Sequence, residues 1–373
     1  MLVEPLALKY RPKKLSEIVG QEVIVKIIEN SFKSKDLHHA YILSGNFGCG
    51  KTSLCRIFAA MENCVNGPTL EPCGKCKNCK DIFSGISRDV KEIDAASNRG
   101  IDSIRALKDD IMYVPVDCRS KYIILDECQS ITPEAAQAAL KMIEEPPPNV
   151  RFIFLTTSIE SIIPTIKSRC INLSLATIHW TKLYEHLKFV SKQEKIQIED
   201  DALKLIAKKS SGSVRNSLQS LQMVLAFSGQ ESITITTVQK VLGTVDDSLY
   251  YKFVQNIVDL NTAGAFKIIN QIMLTGSNIT NIIEDLQTHL HNLLIVAICK
   301  DENELNEFGF TDDDIKKMTF QVQKAKPALV SYMLGAIIDI QRAISLNLDP
   351  QSYLEKFTID SIIEFVKSKK VAN

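Results

Sequence analysis

A glycine-rich run near the start of the chain decides the fold: Gly45-Asn46-Phe47-Gly48-Cys49-Gly50-Lys51-Thr52. It matches the G-x-x-x-x-G-K-[ST] pattern of a phosphate-binding loop. An apolar run at 40–44 precedes it and a helical pattern at 53–61 follows it, as the pattern requires. In such a loop the backbone N–H groups wrap the phosphates, Lys51 reaches the terminal phosphates and Thr52 can ligate Mg²⁺. The flanking elements favour an ATP-binding loop over a plain glycine-rich turn.

An acidic pair ends a second apolar run, Tyr122-Ile-Ile-Leu-Asp126-Glu127. Hydrolysis of a nucleotide needs a carboxylate on the metal and a base for water. We expect Asp126 to hold Mg²⁺ and Glu127 to orient or deprotonate the water. Taken alone, an apolar strand that ends in two acids is usually just a strand leaving the core; beside the phosphate loop, the catalytic interpretation is favoured.

The apolar pattern predicts an α/β domain followed by helices. Short apolar runs alternate with helical stretches at 40–44, 90–94, 122–126 and 152–156. This alternation predicts a parallel sheet covered on both faces. After about residue 179 the apolar positions recur every three or four residues, as in helices. The predicted division is a nucleotide domain at 1–178, a helical lid at 179–242 and an all-helical domain at 243–373.

Composition excludes several classes of protein. The chain has 373 residues, and 44 Lys plus Arg balance 44 Asp plus Glu, so DNA binding requires a local patch. Apolar runs such as 293–299 are far shorter than the ~20 residues of a membrane span. The first residues lack the layout of a signal peptide. These features predict a cytoplasmic globular protein with no membrane partner.

Four of the ten cysteines form a cluster, Cys64, Cys73, Cys76 and Cys79. The spacing C-x₈-C-x₂-C-x₂-C lets neighbouring thiolates share one tetrahedral ion. We expect a structural zinc with a scaffolding role, because four sulfur ligands leave no open position. An iron–sulfur cluster can use similar spacing and stays as the alternative.

Further motifs surround the loop: Leu8-Lys9-Tyr10-Arg11-Pro12, Val19-Gly20-Gln21-Glu22, Ser168-Arg169-Cys170 and Gly212-Ser213-Val214-Arg215. With the phosphate loop and the cysteine cluster, they make the chain similar to the gamma/tau subunits of the bacterial DNA polymerase III clamp loader. The motifs cover about residues 7 to 243, and a helix-only likeness continues to the end. This resemblance implies an AAA+ P-loop domain with a Cys₄ zinc insertion, a helical lid and a helical collar.

The resemblance also implies roles that spacing alone does not. Thr157 occupies the position of sensor 1, which reads the γ-phosphate. Arg169 matches the arginine finger that reaches a neighbouring subunit's ATP, and Arg215 matches sensor 2 on the lid. The implied adenine pocket is formed by Tyr10, Arg11, Pro12 and Val19. Without the resemblance, the two arginines would be interpreted as solvated surface residues.

Two positions depart from the pattern of the family. Gln129 stands where the family commonly has His, two positions after the catalytic Glu. Asn216 stands where an acidic residue often follows the sensor 2 arginine. Neither change removes a residue that is expected to bind phosphate or metal. The departure at Asn216 bears more on the coupling of the nucleotide to lid closure than on hydrolysis.

The implied function is ATP-dependent loading of a sliding clamp onto primer-template DNA at the replication fork, within a pentameric ring joined by the collar. Arg99 and Arg105 open a helix after a strand and are candidates for contacts to the DNA backbone, with an ordinary charged helix face as the alternative. One competing interpretation is a structural subunit of the same complex, for which a degraded phosphate loop is expected. Another is a stand-alone AAA+ remodeller such as a Holliday-junction helicase, expected to lack the cysteine cluster and the collar.

Overall fold

The computed structural model describes most of the chain, namely residues 4–98, 100–229, 231–243, 246–274, 278–299, 305, 312–346 and 348–371. The chain separates into two compact units, Met1–Ile235 and Thr236–Asn373. The first unit contains the sheet, and the secondary structure of the described residues in the second unit is all helical. The three-part division at 178 and 242 stays a prediction.

The described residues of the first unit contain a parallel sheet with the order β2-β3-β4-β1-β5. Its strands are β1 (Ala40–Ser44), β2 (Val90–Asp94), β3 (Lys121–Asp126), β4 (Val150–Thr156) and β5 (Ile171–Ser174). The predicted parallel α/β architecture is therefore confirmed. Sequence reasoning missed β5, because Leu173 is its one buried residue and so the strand has no apolar run.

Helices cover both faces of this sheet. They are α1 (Leu6–Lys9), α2 (Glu22–Ser34), α3 (Lys51–Asn63), α4 (Lys77–Ser84), α5 (Ile101–Ile111), α6 (Pro133–Glu144) and α7 (Pro164–Lys167). Alternate strand residues face opposite sides of a sheet. Leu43 therefore packs in one core cluster with Phe58 of α3, whereas its neighbour Ile42 packs in another with Met142 of α6.

Three helices complete the first unit as a small bundle that corresponds to the predicted lid: α8 (Trp180–Gln193), α9 (Asp200–Lys209) and α10 (Val214–Ser228). Their core contains Leu187, Ile206 and Leu221, all buried. The Ser213 hydroxyl caps α10 by accepting the N–H of Asn216. α10 also contacts α1. This contact includes a hydrogen bond of 2.9 Å from the Leu6 N–H to Gln222 Oε1, so the middle of α10 lies beside the nucleotide domain.

The second unit begins within α11 (Ile235–Leu242), and its other described helices are α12 (Asp247–Val258), α13 (Thr262–Leu274), α14 (Ile279–Ile298), α15 (Asp312–Ser345) and α16 (Pro350–Val371). Its core is one cluster of aliphatic and aromatic side chains, among them Phe253, Leu290, Met333 and Phe365. The expected all-helical C-terminal region is thus confirmed.

Helix α15 is interrupted at Lys326, which has φ 56° and ψ 144° and precedes Pro327. Proline removes a backbone donor and disfavours the helical conformation of the residue before it. The part at 315–345 is long and apolar enough to cross a membrane by length and composition, with a mean hydropathy of 1.2. Leu329 and Ile337 of this part are buried in the core of the second unit, and core helices often have this character.

Candidate nucleotide site

The phosphate loop connects β1 to α3 and takes a conformation that requires glycine. Gly50 caps α3 with φ 108°, and Gly48 has φ 73°. A Cβ atom at Gly48 would lie 2.1 Å from Ser213 Oγ and 3.0 Å from Arg215 Cβ. L side chains rarely adopt this backbone region, and there is no room for one. The loop therefore packs directly against the start of the lid helix α10.

Lys51 is the first residue of α3, and its ammonium group lies inside the curve of the loop. Its Nζ donates to the carbonyl oxygens of Gly45 at 2.6 Å and Asn46 at 3.0 Å, and the residue is 7% exposed. Thr52 follows it on the first turn of α3. Free backbone N–H groups and the helix dipole make this end of a helix attractive to phosphate.

The acidic pair lies at the carboxyl end of β3. Glu127 has φ 51° and ψ 41°, so the chain turns sharply after the strand, and its N–H donates to Asp126 Oδ1 at 2.9 Å. Burial raises the pKa of Asp126; the hydrogen bond from the Glu127 N–H partly opposes this effect, and the negative charge of Glu127 adds to it. A divalent cation beside Asp126 would oppose that shift by stabilising the ionised carboxylate.

One cleft of about 1080 Å³ brings these groups together. From the predicted set it is lined by Tyr10, Arg11, Pro12, Val19, Phe47, Gly48, Cys49, Gly50, Lys51, Thr52, Asp126, Glu127 and Arg215. Its volume reaches the upper end of the roughly 300–1,000 Å³ range of small-molecule sites. Gly45 and Asn46 adjoin it through their hydrogen bonds to Lys51. Most of the predicted nucleotide residues therefore surround a single space.

The lid supplies a wall that sequence reasoning missed. Besides Arg215, helix α10 lines the cleft with Gln219, Gln222 and Met223, and α8 adds His186. Burial lowers the pKa of His186. The residues from α10 follow Arg215 by four, seven and eight positions, and thus share one helix face. Extending that face from Arg215 would have identified them.

Two arginines, Arg11 and Arg215, line the cleft. Burial is the main cause that lowers the pKa of Arg11, and the Arg56 and Arg215 guanidinium groups add to it, with partial compensation from Glu92 and Asp126. Burial and like charge both disfavour the charged form of this arginine. An anionic ligand in the cleft would stabilise that form.

Two predicted residues, Thr157 and Arg169, are not among the described residues that line the cleft. Thr157 directly follows β4, and its hydroxyl accepts a hydrogen bond of 3.4 Å from Gln129 Nε2. Arg169 lies after α7 and forms an ion pair with Glu144. Its Nη1 also donates to the Thr165 carbonyl at 2.8 Å.

The structure does not describe the side chains of the two residues predicted to contact DNA. Arg99 lies outside the described residues. Arg105 is part of helix α5, but its side chain lies outside them as well. Both assignments stay predictions.

The four clustered cysteines converge between α3 and α4, with all Sγ atoms within 4.8 Å of one another. Backbone N–H groups donate to three of the sulfurs, from Cys73 to Cys64 at 3.4 Å, from Cys76 to Cys73 at 3.3 Å and from Cys79 to Cys76 at 3.4 Å. N–H groups of Lys75 and Cys76 lower the pKa of the Cys73 thiol to about 6, whereas burial raises that of Cys79. Tetrahedral zinc with bonds of about 2.3 Å places its sulfurs about 3.8 Å apart, so a small contraction makes the set fit a metal.

Comparisons with known proteins agree with this geometry along the chain. The family model for the DNA polymerase III delta subunit matches residues 20–179. The model for the ATPase lid domain of the DNA polymerase III clamp loader subunit matches 182–230, and that for domain III of subunits gamma and tau matches 233–331.

Curated relatives carry the same family name. The DNA polymerase III subunit gamma of Buchnera aphidicola is 33% identical over 82% of this chain and 86% of its own length. The chain belongs to the gamma/tau family of DNA polymerase III subunits. Subunit gamma/tau of Mycoplasma genitalium is 37% identical over 80% of this chain, and subunit tau/gamma of Haemophilus influenzae is 32% identical over 92%.

The chain spans about half the length of several relatives in the gamma/tau family, 49% for the Haemophilus subunit and 50% for the Mycoplasma subunit. Among solved structures, the RuvB Holliday junction branch migration motor of Thermotoga maritima has a TM-score of 0.48 and 20% identity over 67% of this chain and 80% of that chain. That likeness is too distant to assign a function.

Proposed function

We propose that this chain is an ATP-binding and ATP-hydrolysing subunit of a bacterial clamp loader. The observation that carries the proposal is the single cleft in which the phosphate loop, the acidic pair and Arg215 of the lid meet. A nucleoside triphosphate placed there touches both the nucleotide domain and the lid. Binding energy therefore favours the arrangement in which both make their contacts, which is how a ligand shifts a conformational equilibrium.

Each group has a task in hydrolysis. Lys51 and the N–H groups at the start of α3 hold the terminal phosphates, while Thr52 and Asp126 are the residues that would hold Mg²⁺. When bound by these residues, Mg²⁺ would neutralise negative charge on the phosphates. Glu127 accepts a proton from water as the water oxygen bonds to the γ-phosphorus. The bond to the bridging oxygen breaks, and its electron pair leaves with ADP.

The remaining charge comes from a neighbouring subunit. Arg169 lies outside its own cleft among the described residues, on the turn after α7. An arginine that reaches the γ-phosphate of an adjacent chain stabilises the negative charge that develops in phosphoryl transfer. We infer a ring of clamp-loader subunits that hydrolyses ATP at its interfaces. Its further partners are a sliding clamp and primer-template DNA held by its backbone.

We further propose that the cysteine cluster binds zinc and serves as a scaffold. The fit rests on the convergence of four sulfurs and on the N–H donors that stabilise thiolates. Zinc bound by these cysteines would link the loop after α3 to the start of α4. The cleft lining contains no residue of the cluster among those described, so the metal takes no part in the chemistry.

We also propose that the chain acts in the cytoplasm, associated with the nucleoid at the replication fork. This rests on its membership of a family of DNA polymerase III subunits. A tagged chain that co-localises with a marker of replication forks would support this location. A membrane-restricted signal would contradict it.

ATPase activity measured with partner subunits, clamp and primed DNA tests the proposal. Lys51→Ala should remove stimulated turnover, since the phosphates lose their central cation. Arg169→Ala should lower turnover while leaving ATP binding in place. If neither change reduces the stimulated rate, the proposal is wrong.

A further inference from the structure

The side chain of Gln129 joins Glu127 to the end of the neighbouring strand β4. Its Nε2 donates to Glu127 Oε2 at 2.5 Å and to Thr157 Oγ1 at 3.4 Å. Its Oε1 accepts the hydroxyl of Thr156 at 2.9 Å. One amide therefore contacts both a carboxylate that lines the cleft and two threonines at the carboxyl end of β4.

The orientation of this amide follows from the chemistry of its partners. An ionised carboxylate only accepts hydrogen bonds, so the NH₂ end of Gln129 must face Glu127. The oxygen end then faces the Thr156 hydroxyl, whose Oγ1 lies 2.9 Å from both this oxygen and the Ser158 carbonyl oxygen. A flipped amide would set its oxygen against the carboxylate and lose the hydrogen bond to Glu127.

Thr156 anchors this bridge in the rigid part of the fold. It is the last residue of β4 and is fully buried. Its carbonyl accepts the N–H of Gly45 at 3.1 Å, so the same residue also fixes the first glycine of the phosphate loop. The strand end, the phosphate loop and the acidic turn are thus linked through adjacent hydrogen bonds.

We propose that Gln129 is a positioning residue that sets the direction of the Glu127 carboxylate and couples it to the end of β4. The inference rests on the proposed ATPase function and deepens it. Because Gln129 holds Oε2, the carboxylate has one oxygen left to accept a proton from water. A phosphate that accepts the proton of the Thr157 hydroxyl orients this hydroxyl, which also accepts a hydrogen bond from Gln129, so the terminal phosphate is linked to Glu127 through Thr157 and Gln129.

A neutral amide suits this role because it donates to a carboxylate at every pH at which the protein is folded. Histidine can also donate from a ring nitrogen, but it gains and loses a proton near pH 6.5. Gln129→His should therefore bring a new ionisation into the rate. A purely structural residue would not produce that effect.

The experiment compares variants in the assembled complex with clamp and primed DNA. Gln129→Leu removes the bridge and should lower kcat at least about 10-fold, the equivalent of one lost hydrogen bond to a charged group. Binding of ATP should change less than about twofold, because Gln129 is not among the described residues lining the cleft. Thr156→Val should lower kcat in the same direction, and the double variant should be no worse than Gln129→Leu alone.

Gln129→His should recover part of the rate, with an added inflection in kcat between about pH 5.5 and 8. Ser130→Ala, in the same turn, is the matched control and should behave as wild type. If Gln129→Leu destabilises the fold, Gln129→Asn replaces it, since its shorter amide cannot reach both partners.

Two outcomes separate the inference from the function on which it rests. If wild type hydrolyses ATP and Lys51→Ala abolishes this, but the Gln129 variants keep kcat within twofold and add no inflection, the positioning role is wrong and the function stands. If Lys51→Ala has no effect on the wild-type rate, both are wrong.

Discussion

Arg169 and Glu144 form an ion pair within one chain, between the end of α6 and the turn after α7. The arginine side chain is 35% exposed and that of the glutamate 43% exposed. Thr165 provides a second partner for the guanidinium through its carbonyl oxygen. The group proposed to act on a neighbouring nucleotide is therefore held at the surface by its own chain, where an adjacent subunit can compete for it.

The isolated chain should hydrolyse ATP slowly, because Arg169 is absent from the described lining of its own cleft. We expect addition of partner subunits, clamp and DNA to raise the rate of hydrolysis. Arg169→Ala should lower this stimulated rate about 10³-fold. Turnover at saturating ATP is the measurement. Full activity of the chain as a monomer would contradict an intersubunit site.

Glu144→Gln should increase the stimulated rate modestly, because it frees Arg169 from its intramolecular partner. An exposed ion pair is worth up to about 1 kcal/mol, so the gain should not exceed about fivefold. The effect should shrink at high salt. The matched control is Glu145→Gln at the next exposed position. An unchanged rate for Glu144→Gln would mean that the pair does not compete with the neighbour.

Arg215→Ala should weaken ATP binding about 10-fold or more, since a hydrogen bond to a charged group contributes about 1.5–3 kcal/mol. Arg215 belongs to the lid and lines the cleft, and its Cβ lies against the phosphate loop. The dissociation constant of a fluorescent ATP analogue would measure the change. Lys208→Ala, an exposed lid cation next to Trp180, should leave it unchanged.

Purified protein should contain about one zinc ion per chain, lost in Cys79→Ser and retained in Cys118→Ser, whose thiol is outside the cluster. Chelation should lower the melting temperature, because the free energy of binding a structural metal contributes to folding. Metal analysis by mass spectrometry and thermal melting test this. An equal metal content in both variants would show that the cluster does not hold zinc, and detection of iron would favour an iron–sulfur cluster.

The second unit should lose stability in mild acid because of His289 in α14. Burial lowers the pKa of His289 to about 4, and the nearby Gln321 side chain partly opposes this effect. The unfolded chain binds this proton near pH 6.5, so stability is complete above that value and falls as the pH drops toward 4. The total loss is about 3 kcal/mol, of which about 1.3 kcal/mol occurs between pH 7.5 and 5.5.

Urea unfolding followed by circular dichroism at pH 7.5 and 5.5 would measure this loss. Trp180 is the single tryptophan of the chain and lies in the first unit, so its fluorescence separates that unit from the second. His289→Gln should reduce the pH dependence, and His291→Gln, exposed on the same helix, should not. An equal pH dependence in His289→Gln would contradict the prediction.

Local pattern was enough to predict most of the architecture. The phosphate loop needs glycine at Gly50, whose φ is 108°, and the sequence motif specifies glycine at this position. Strands β1, β3 and β4 are buried on both faces and therefore appear as apolar runs, whereas the edge strand β5 has no such run and was missed. The cysteine cluster was visible from its spacing because its ligands come from nearby residues.

The phosphate-loop pattern, the acidic pair and the spacing of the four cysteines can each be recognised in the sequence, since each lies within a short segment. The contacts between these segments and distant residues depend on the tertiary structure. It brought the α10 face with Gln219 and Gln222 over the cleft, set Glu144 against Arg169, and placed Gln129 between Glu127 and Thr156. These contacts join residues from different elements, and their partners depend on how the helices and strands pack, which no local pattern contains.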